Sequence, residues 1–210
     1  MPGRKVPEVQ RRQEILKAAY RVAARERLTG LTAQAVAAEA GVSKGLVFFH
    51  FGSRDALLVA LLEWLLAITL VGPEIPDALR GRTPAERMLS AIRRDVEALP
   101  RQRERVELFF DFWVMGTRHP EVQRTIRAAL DRYRDAFRPL AGAIVEAEPE
   151  RFGGTSAEGL AGVAAGFIEG CALQVVMDPG FDVEVSMRTL VALVGGRGYS
   201  PARSPSPEAP

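Results

Sequence analysis

"LTAQAVAAEAGVSKGLVFFHFGSRDALL", residues 31–58, reads as two short helices followed by the start of a longer one. Thr32 is placed to cap a helix over 33–40, and Gly41 to end it in the left-handed conformation that a side chain disfavours. Ser43 caps a second helix over about 44–50, and Ser53, after Gly52, caps a long one over about 54–71. Two short helices joined by a glycine turn have the dimensions of a helix-turn-helix. Val36, Ala37, Ala40, Val42 and Leu46 fall where such a pair packs on itself, and Ala40 and Gly41 are small where it crosses. The second helix then ends in Phe48, Phe49, His50 and Phe51. A short helix cannot turn all of these to one core. Leu46 and Phe51 can serve the core, so Phe49 is the ring expected to face outward. A ring held in a major groove can meet a thymine methyl or a sugar.

The charge around this stretch agrees with a polyanionic partner. The chain of 210 residues carries a formal charge of only +2, but unevenly. Residues 1–54 hold 10 Lys/Arg against 4 Asp/Glu, and the rest hold 18 against 22. A basic front on an acidic remainder suits double-stranded DNA. A hydrophobic content of 47% is enough for one domain, or for a small and a larger one. Cys171 is the single cysteine, so no internal disulfide can form. No signal peptide is visible, and a cytoplasmic protein is expected. The longest apolar run, residues 56–72, is short for a bilayer and contains Glu63. It reads as a buried helix, with no membrane partner.

Helical spacing of apolar residues continues along the chain, and the fold is expected to be all-α with about nine helices. The first helix covers about 8–28, with Ile15, Ala19, Val22 and Ala23 buried. After a loop over 72–84, "TPAE" at 83–86 is a capping box with Pro84 at the first helical position. Helices follow over about 84–98, 101–116 and 120–148, the last expected to kink or split at Pro139. "EPERFGG" reads as a loop. "TSAE" at 155–158 reads as a second capping box, opening a helix to about 177, and a final helix covers about 183–194. These elements suggest a DNA-binding domain over 1–53, with its helix-turn-helix at about 32–51. A ligand-binding and dimerisation domain would follow over 54–194, then a disordered Gly/Pro/Ser-rich tail over 195–210.

The stretch at 31–58 resembles the TetR family of bacterial repressors. That family's pattern is roughly T-x3-I-A-x2-A-G-V-S-x-G-x2-Y-x-Y/H-F-x-x-K-x2-L, and the likeness covers about residues 10–70. The resemblance implies a homodimer with a three-helix DNA-binding head and a helical ligand-binding body. It implies that Thr32 binds a phosphate and that Ser43, Lys44 and Gly45 meet the DNA backbone or base edges. His50 would contact a phosphate. Phe48 stands where the family usually has Tyr and lacks its hydroxyl. Arg54 stands for the usual Lys and keeps its charge for a phosphate. Arg4, Lys5, Arg11 and Arg12 form a basic arm expected to reach the neighbouring backbone or minor groove. Residues 107 to about 145 are weakly similar to the choline-responsive BetI group.

Gly162, Gly166 and Gly170 recur every fourth residue in one helix, where each glycine costs ~1 kcal/mol against alanine. The stripe is expected to be a dimer seam, together with the helix at 183–194, against ordinary packing within the chain. Two heads then present recognition helices one helical turn of DNA apart, or a multiple, so the operator is an inverted repeat. "ELFFDFWVMG" at 107–116 has more aromatic residues than one core stripe needs. Phe109, Phe110 and Trp113, with Trp64, Met88, Phe137 and Phe167, are the candidates for lining an effector site. Met115 and Met177 are possible additions. Such a lining suits a small apolar effector. A fatty acyl chain or its coenzyme A ester is the candidate, with Arg101, Arg103 and Arg105 available for phosphates.

No catalytic constellation is present. The histidines are His50 and His119, "GTSAE" lacks the last glycine of a nucleophile elbow, and "GGRG" lacks the Lys-Ser/Thr of a phosphate loop. No metal or cofactor is expected. The reading is a ligand-responsive DNA-binding regulator rather than an enzyme or an architectural DNA binder.

Overall fold

The computed structural model describes residues 7–72, 79, 81–152 and 154–194. The expected tail, the arm residues Arg4 and Lys5 and most of the loop after residue 72 lie outside them. In chain order the helices are α1 (Glu8–Gly30), α2 (Ala33–Ala40), α3 (Lys44–Phe51), α4 (Arg54–Thr69) and α5 (Pro84–Ala98). A 3-10 turn (Pro100–Gln102) precedes α6 (Arg103–Gly116), α7 (Pro120–Ala147), α8 (Pro149–Phe152), α9 (Ala157–Met177) and α10 (Val183–Val194). There is no strand among the described residues, and the fold is all-α. The helix beyond the expected set is α8, inside the stretch read as a loop. Pro149 supplies a preset φ, and the N–H groups of Arg151 and Phe152 donate to the Glu148 carbonyl at 3.1 and 3.0 Å.

Capping hydroxyls set five of the ten described α-helix starts. Thr32 Oγ1 accepts from the Ala35 N–H at 3.1 Å, Ser43 Oγ from Leu46 at 3.2 Å, and Ser53 Oγ from Ala56 at 3.1 Å. Gly41 ends α2 at φ 64°, a left-handed turn with no Cβ to oppose it. The box at α5 forms reciprocally: Glu86 N–H donates to Thr83 Oγ1 at 3.2 Å, and Thr83 N–H to Glu86 Oε2 at 2.9 Å. That backbone hydrogen bond from Thr83 holds the Glu86 carboxyl below the ordinary glutamate range. The second box does not form as read. Thr155 donates its N–H back to the Phe152 carbonyl at 2.7 Å, so Ser156 caps α9 instead, accepting from Gly159 at 2.9 Å.

The chain packs as two units. Among the described residues, one comprises 7–72 together with 99–136, and the other 79 and 81–98 together with those from 137 to 194. In the first, α1 packs on α2, α4 and α6, and α4 packs on α6. Ile15, Ala19, Leu61, Leu62, Leu65 and Phe112 are fully buried in its core. The long apolar run is therefore α4, a core helix. The division by role expected at 53/54 is distinct from this division by packing, since α4 shares its core with α1.

One residue breaks α1 before its end. Arg27 has φ 60° and ψ 179°, a backbone region nearly closed to any residue but glycine. Its guanidinium reaches α6, with Nη2 2.7 Å from Asp111 Oδ1 and Nη1 3.5 Å from Glu107 Oε2.

In the second unit, α5 packs against both α9 and α10. Leu89, Ile92, Leu160, Ala164, Ala165 and Met187 are buried there, with Phe137, Ala141 and Ile144 of α7. Arg93 joins α5 to α10 through Glu184 at 2.5 Å. α7 continues through Pro139 without splitting. By length and composition α9 could cross a membrane, but Leu160, Ala164, Ile168, Cys171 and Val175 face the unit's core.

Candidate nucleic-acid interface

α2 and α3 form the expected pair, joined by Gly41, Val42 and Ser43. The Val42 N–H donates to the Ala37 carbonyl at 3.0 Å and closes the turn. Val36 and Ala37 are buried from α2, and Val47 and Phe51 from α3. Leu46, expected in the core, is only half-buried. Val47 takes that place because it lies one turn before Phe51 on the same face. Arg12 of α1 stands over the Phe51 ring at 5.0 Å. A second tie runs from α1 to α2: Arg21 Nε meets Glu39 Oε1 at 2.6 Å and Arg25 Nη1 meets Oε2 at 3.3 Å. The hydrogen bond from Arg21 is the main reason the Glu39 carboxyl lies below its usual range.

These contacts decide what faces outward. Thr32, Ser43, Lys44 and Gly45 are exposed around the start of α2 and α3. Each capping hydroxyl accepts a backbone N–H and keeps its own proton for another acceptor. Phe49 is 73% exposed and Phe48 43%, so Phe49 is the outermost ring, as its position suggested. Lys44 Nζ lies 5.7 Å from the Phe48 ring. His50 is half-buried, its ring edge-on to Phe49 at 5.3 Å.

Much of the head's basic charge is spent on acids of the same chain. Arg11 pairs with Glu14, Arg21 and Arg25 with Glu39, and Arg27 with Glu107 and Asp111. Arg54, expected to grip a phosphate, turns inward: Nε donates to the Leu31 carbonyl at 2.9 Å and Nη2 to Leu28 at 2.8 Å. The end of α1 offers it two carbonyls in fork geometry. Among the described residues, Arg12, Lys17 and Lys44 form no ion pair. Sequence reasoning passed over Lys17, which is exposed on α1. Arg11 and Arg12 belong to α1 itself rather than to an extended arm.

Two family models match this arrangement. Residues 15–61 match "Bacterial regulatory proteins, tetR family", and residues 84–195 match "BetI-type transcriptional repressor, C-terminal". The chain belongs to the TetR family.

Among relatives of this TetR-family chain is the regulator BetI of Brucella canis, 29% identical over 118 residues. The match takes in 56% of this chain and 59% of BetI, so it spans under two thirds of that relative's length. A transcriptional regulator from Rhodococcus sp. Rha1 shares the fold at TM-score 0.67, with 23% identity over 88% of this chain and 94% of its own. A regulator from Saccharomonospora viridis, solved in complex with choline, gives TM-score 0.68, with 20% identity over 90% and 98%.

The residues expected around an effector divide between the two packing units. Trp64, Phe109, Phe110 and Trp113 belong to the first, and Met88, Phe137 and Phe167 to the second. In the first unit Phe109 stands 5.7 Å from Phe110 and 5.8 Å from Trp113, while Trp64 stands 5.5 Å from Tyr20. Trp113 is 41% exposed. The Tyr20 hydroxyl donates to Glu104 Oε2 at 3.2 Å, and burial with that carboxylate raises its pKa. In the second unit Met88 and Phe137 are fully buried, and Phe167 is half-buried. Met177 faces outward from the end of α9, away from any core.

The glycine stripe lies on that same outer side. Among the described residues, a Cβ built at Gly162, Gly166 or Gly170 would meet nothing within 4 Å. Packing within the chain therefore gives no reason for glycine there. Val163, Leu173 and Met177 are exposed on α9, and Val185 and Leu193 on α10.

Proposed function

We propose that this TetR-family chain is a dimeric, ligand-responsive transcriptional repressor that acts in the cytoplasm on an inverted-repeat operator. The observation that carries the reading is the outer surface of the α2–α3 pair. Two hydroxyl caps, Lys44 and Gly45 stand open there on a head rich in Lys and Arg. Thr32, Ser43 and His50 offer donors to phosphates, Lys44 a charge, and Arg54 those N–H groups its carbonyl contacts leave over.

The glycine track of α9, with the exposed side of α10, supports a twofold helix seam, since a track open on its own chain is free to receive a second helix. Effector binding among the aromatic residues would favour a dimer whose recognition helices no longer fit both half-sites. A tenfold loss of operator affinity needs ~1.4 kcal/mol of differential binding between the two states.

Two effector classes have support. The apolar lining fits a fatty acyl chain or its coenzyme A ester. An organic cation is the second reading, because the Tyr20 ring, with Trp64 5.5 Å from it, stands beside Glu104, and rings attract quaternary ammonium groups. The choline held by the Saccharomonospora viridis regulator points the same way.

The test is a gel shift with the full chain on the DNA upstream of its own gene, over a salt series. Binding should survive excess unrelated duplex and be released by palmitoyl-coenzyme A or by choline. Binding equal to that of any duplex, with neither ligand acting, would leave a nonspecific DNA binder and remove the regulator.

A further inference from the structure

We propose that α3 selects its operator half-site mainly through thymine methyl groups, with Phe49 as the reading side chain. This rests on the DNA-binding reading above and narrows it. α3 is "KGLVFFHF", residues 44–51. Its buried residues, Val47 and Phe51, fix the inward direction. At 3.6 residues per turn, Gly45 and Phe49 then lie on the opposite side, one above the other. Phe49, 73% exposed, occupies the middle of the outward face, with Phe48 to one side and the half-buried Leu46 and His50 to the other.

Reading base edges by hydrogen bonds takes Arg, Lys, Asn, Gln, an acid or a Ser/Thr hydroxyl in the groove, and the one such hydroxyl at α3 is Ser43, at the cap before the helix rather than on its outward face. Only Lys44 and His50 of α3 carry any hydrogen-bonding group in the side chain. Neither is at the centre of the outward face. Lys44 sits in the first turn with its ammonium 5.7 Å from the Phe48 ring, and His50 lies edge-on behind Phe49. The apolar feature of a major groove is the methyl group of thymine. A phenyl ring at the centre of the helix can discriminate by covering that methyl and excluding water from it.

Gly45 supports this use. A Cβ there would approach nothing closer than Ser43 Oγ at 3.9 Å, so the chain's own packing does not require glycine. One turn before Phe49, its missing side chain keeps the start of α3 low and lets the ring reach deepest. The surroundings favour DNA over a protein as the partner. Lys17 and Lys44 form no ion pair among the described residues, and the Thr32 and Ser43 hydroxyls keep their protons for acceptors.

The experiment uses the full chain to enrich an operator from a random duplex pool. That operator is then resynthesised with deoxyuridine replacing thymidine at each position in turn, which keeps base pairing and removes only the methyl. Burying one such carbon contributes about 0.8 kcal/mol, so each contacted thymine should show a roughly fourfold loss of affinity. The losses should fall on one or two thymines in each half-site and nowhere else. Phe49→Ala should bind the thymidine operator more weakly and lose the thymidine–deoxyuridine difference at those positions. Phe48→Ala should keep it. Circular dichroism and melting of Phe49→Ala should match the parent, because the ring is exposed.

Equal binding of both operators by the parent chain would overturn the proposal while leaving DNA binding intact. So would a Phe49→Ala variant that still discriminates. Failure to enrich or bind any duplex would instead remove the DNA-binding reading itself. A Phe49→Ala variant with full operator affinity that had lost capture of a protein partner would also overturn it.

Discussion

α3 and α9 each bury one face in their own unit and leave a second apolar face in water, but they build the outer face differently. α3 projects rings, Phe49 most of all and Phe48 beside it. α9 withdraws side chains: Gly162, Gly166 and Gly170 make a flat track bordered by Val163, Leu173 and Met177. Projection suits a recess, such as a groove, where a few atoms must reach far. Flatness suits another helix, whose axis can come close only where no side chain intervenes. The two outer faces therefore point to different partners.

The largest effect expected from breaking this contrast is on assembly. Gly166→Leu puts a bulky side chain on the flat track without disturbing the chain's own packing. It should give monomers by light scattering at micromolar concentration. Operator affinity should then fall by roughly 10²–10⁴, as two linked half-site contacts become one. An intact dimer would remove the seam from α9.

The second test compares rings two residues apart. Phe51→Ala should cost about 3–5 kcal/mol in urea unfolding, through the cavity it leaves and the loss of the ring under Arg12. Phe49→Ala should stay within about 0.5 kcal/mol. Equal costs would mean that α3 is rotated from the orientation described.

A third comparison concerns the strained turn that precedes the recognition pair. Arg27→Gly and Arg27→Ala both lose the ion pairs to α6, but only glycine tolerates φ 60° with ψ 179°. The glycine variant should melt higher than the alanine variant, by a difference worth about 1–3 kcal/mol. Matching melting points would show that the strain is relieved in solution.

The smallest effect is one of pH. Glu39 carries a lowered pKa, chiefly because Arg21 donates to it. Its contribution to the α1–α2 tie is thus present above the ordinary glutamate range and is lost as pH falls through its lowered value. Glu39→Gln should flatten this acid limb of the stability profile and leave the neutral limb unchanged. A profile with the same acid slope in both proteins would assign the loss elsewhere.

Local signals were legible in the sequence and distant partners were not. Thr32, Ser43 and Ser53 bond to N–H groups three residues ahead, so their caps could be read directly, and helical spacing alone separated Phe49 from Phe51. Thr155 was misread because its N–H is taken by Phe152, leaving Ser156 to cap. Arg27 looked like an ordinary residue near a helix end, since its acids Glu107 and Asp111 are some 80 positions away. The seven residues expected around one effector site fall in two packing units because composition marks them as aromatic or Met without saying which helices they meet. The glycine stripe showed its spacing in the sequence, while its freedom from the chain's own packing required the fold.

Arg54 has a consequence beyond electrostatics. Its guanidinium joins the first turn of α4 to two carbonyls, Leu28 and Leu31, at the close of α1. Two anchor points resist rotation as well as separation, whereas a lysine's single ammonium would leave a pivot. A displacement entering along α4 would therefore arrive at the recognition pair as torque rather than dissipate at a loose joint.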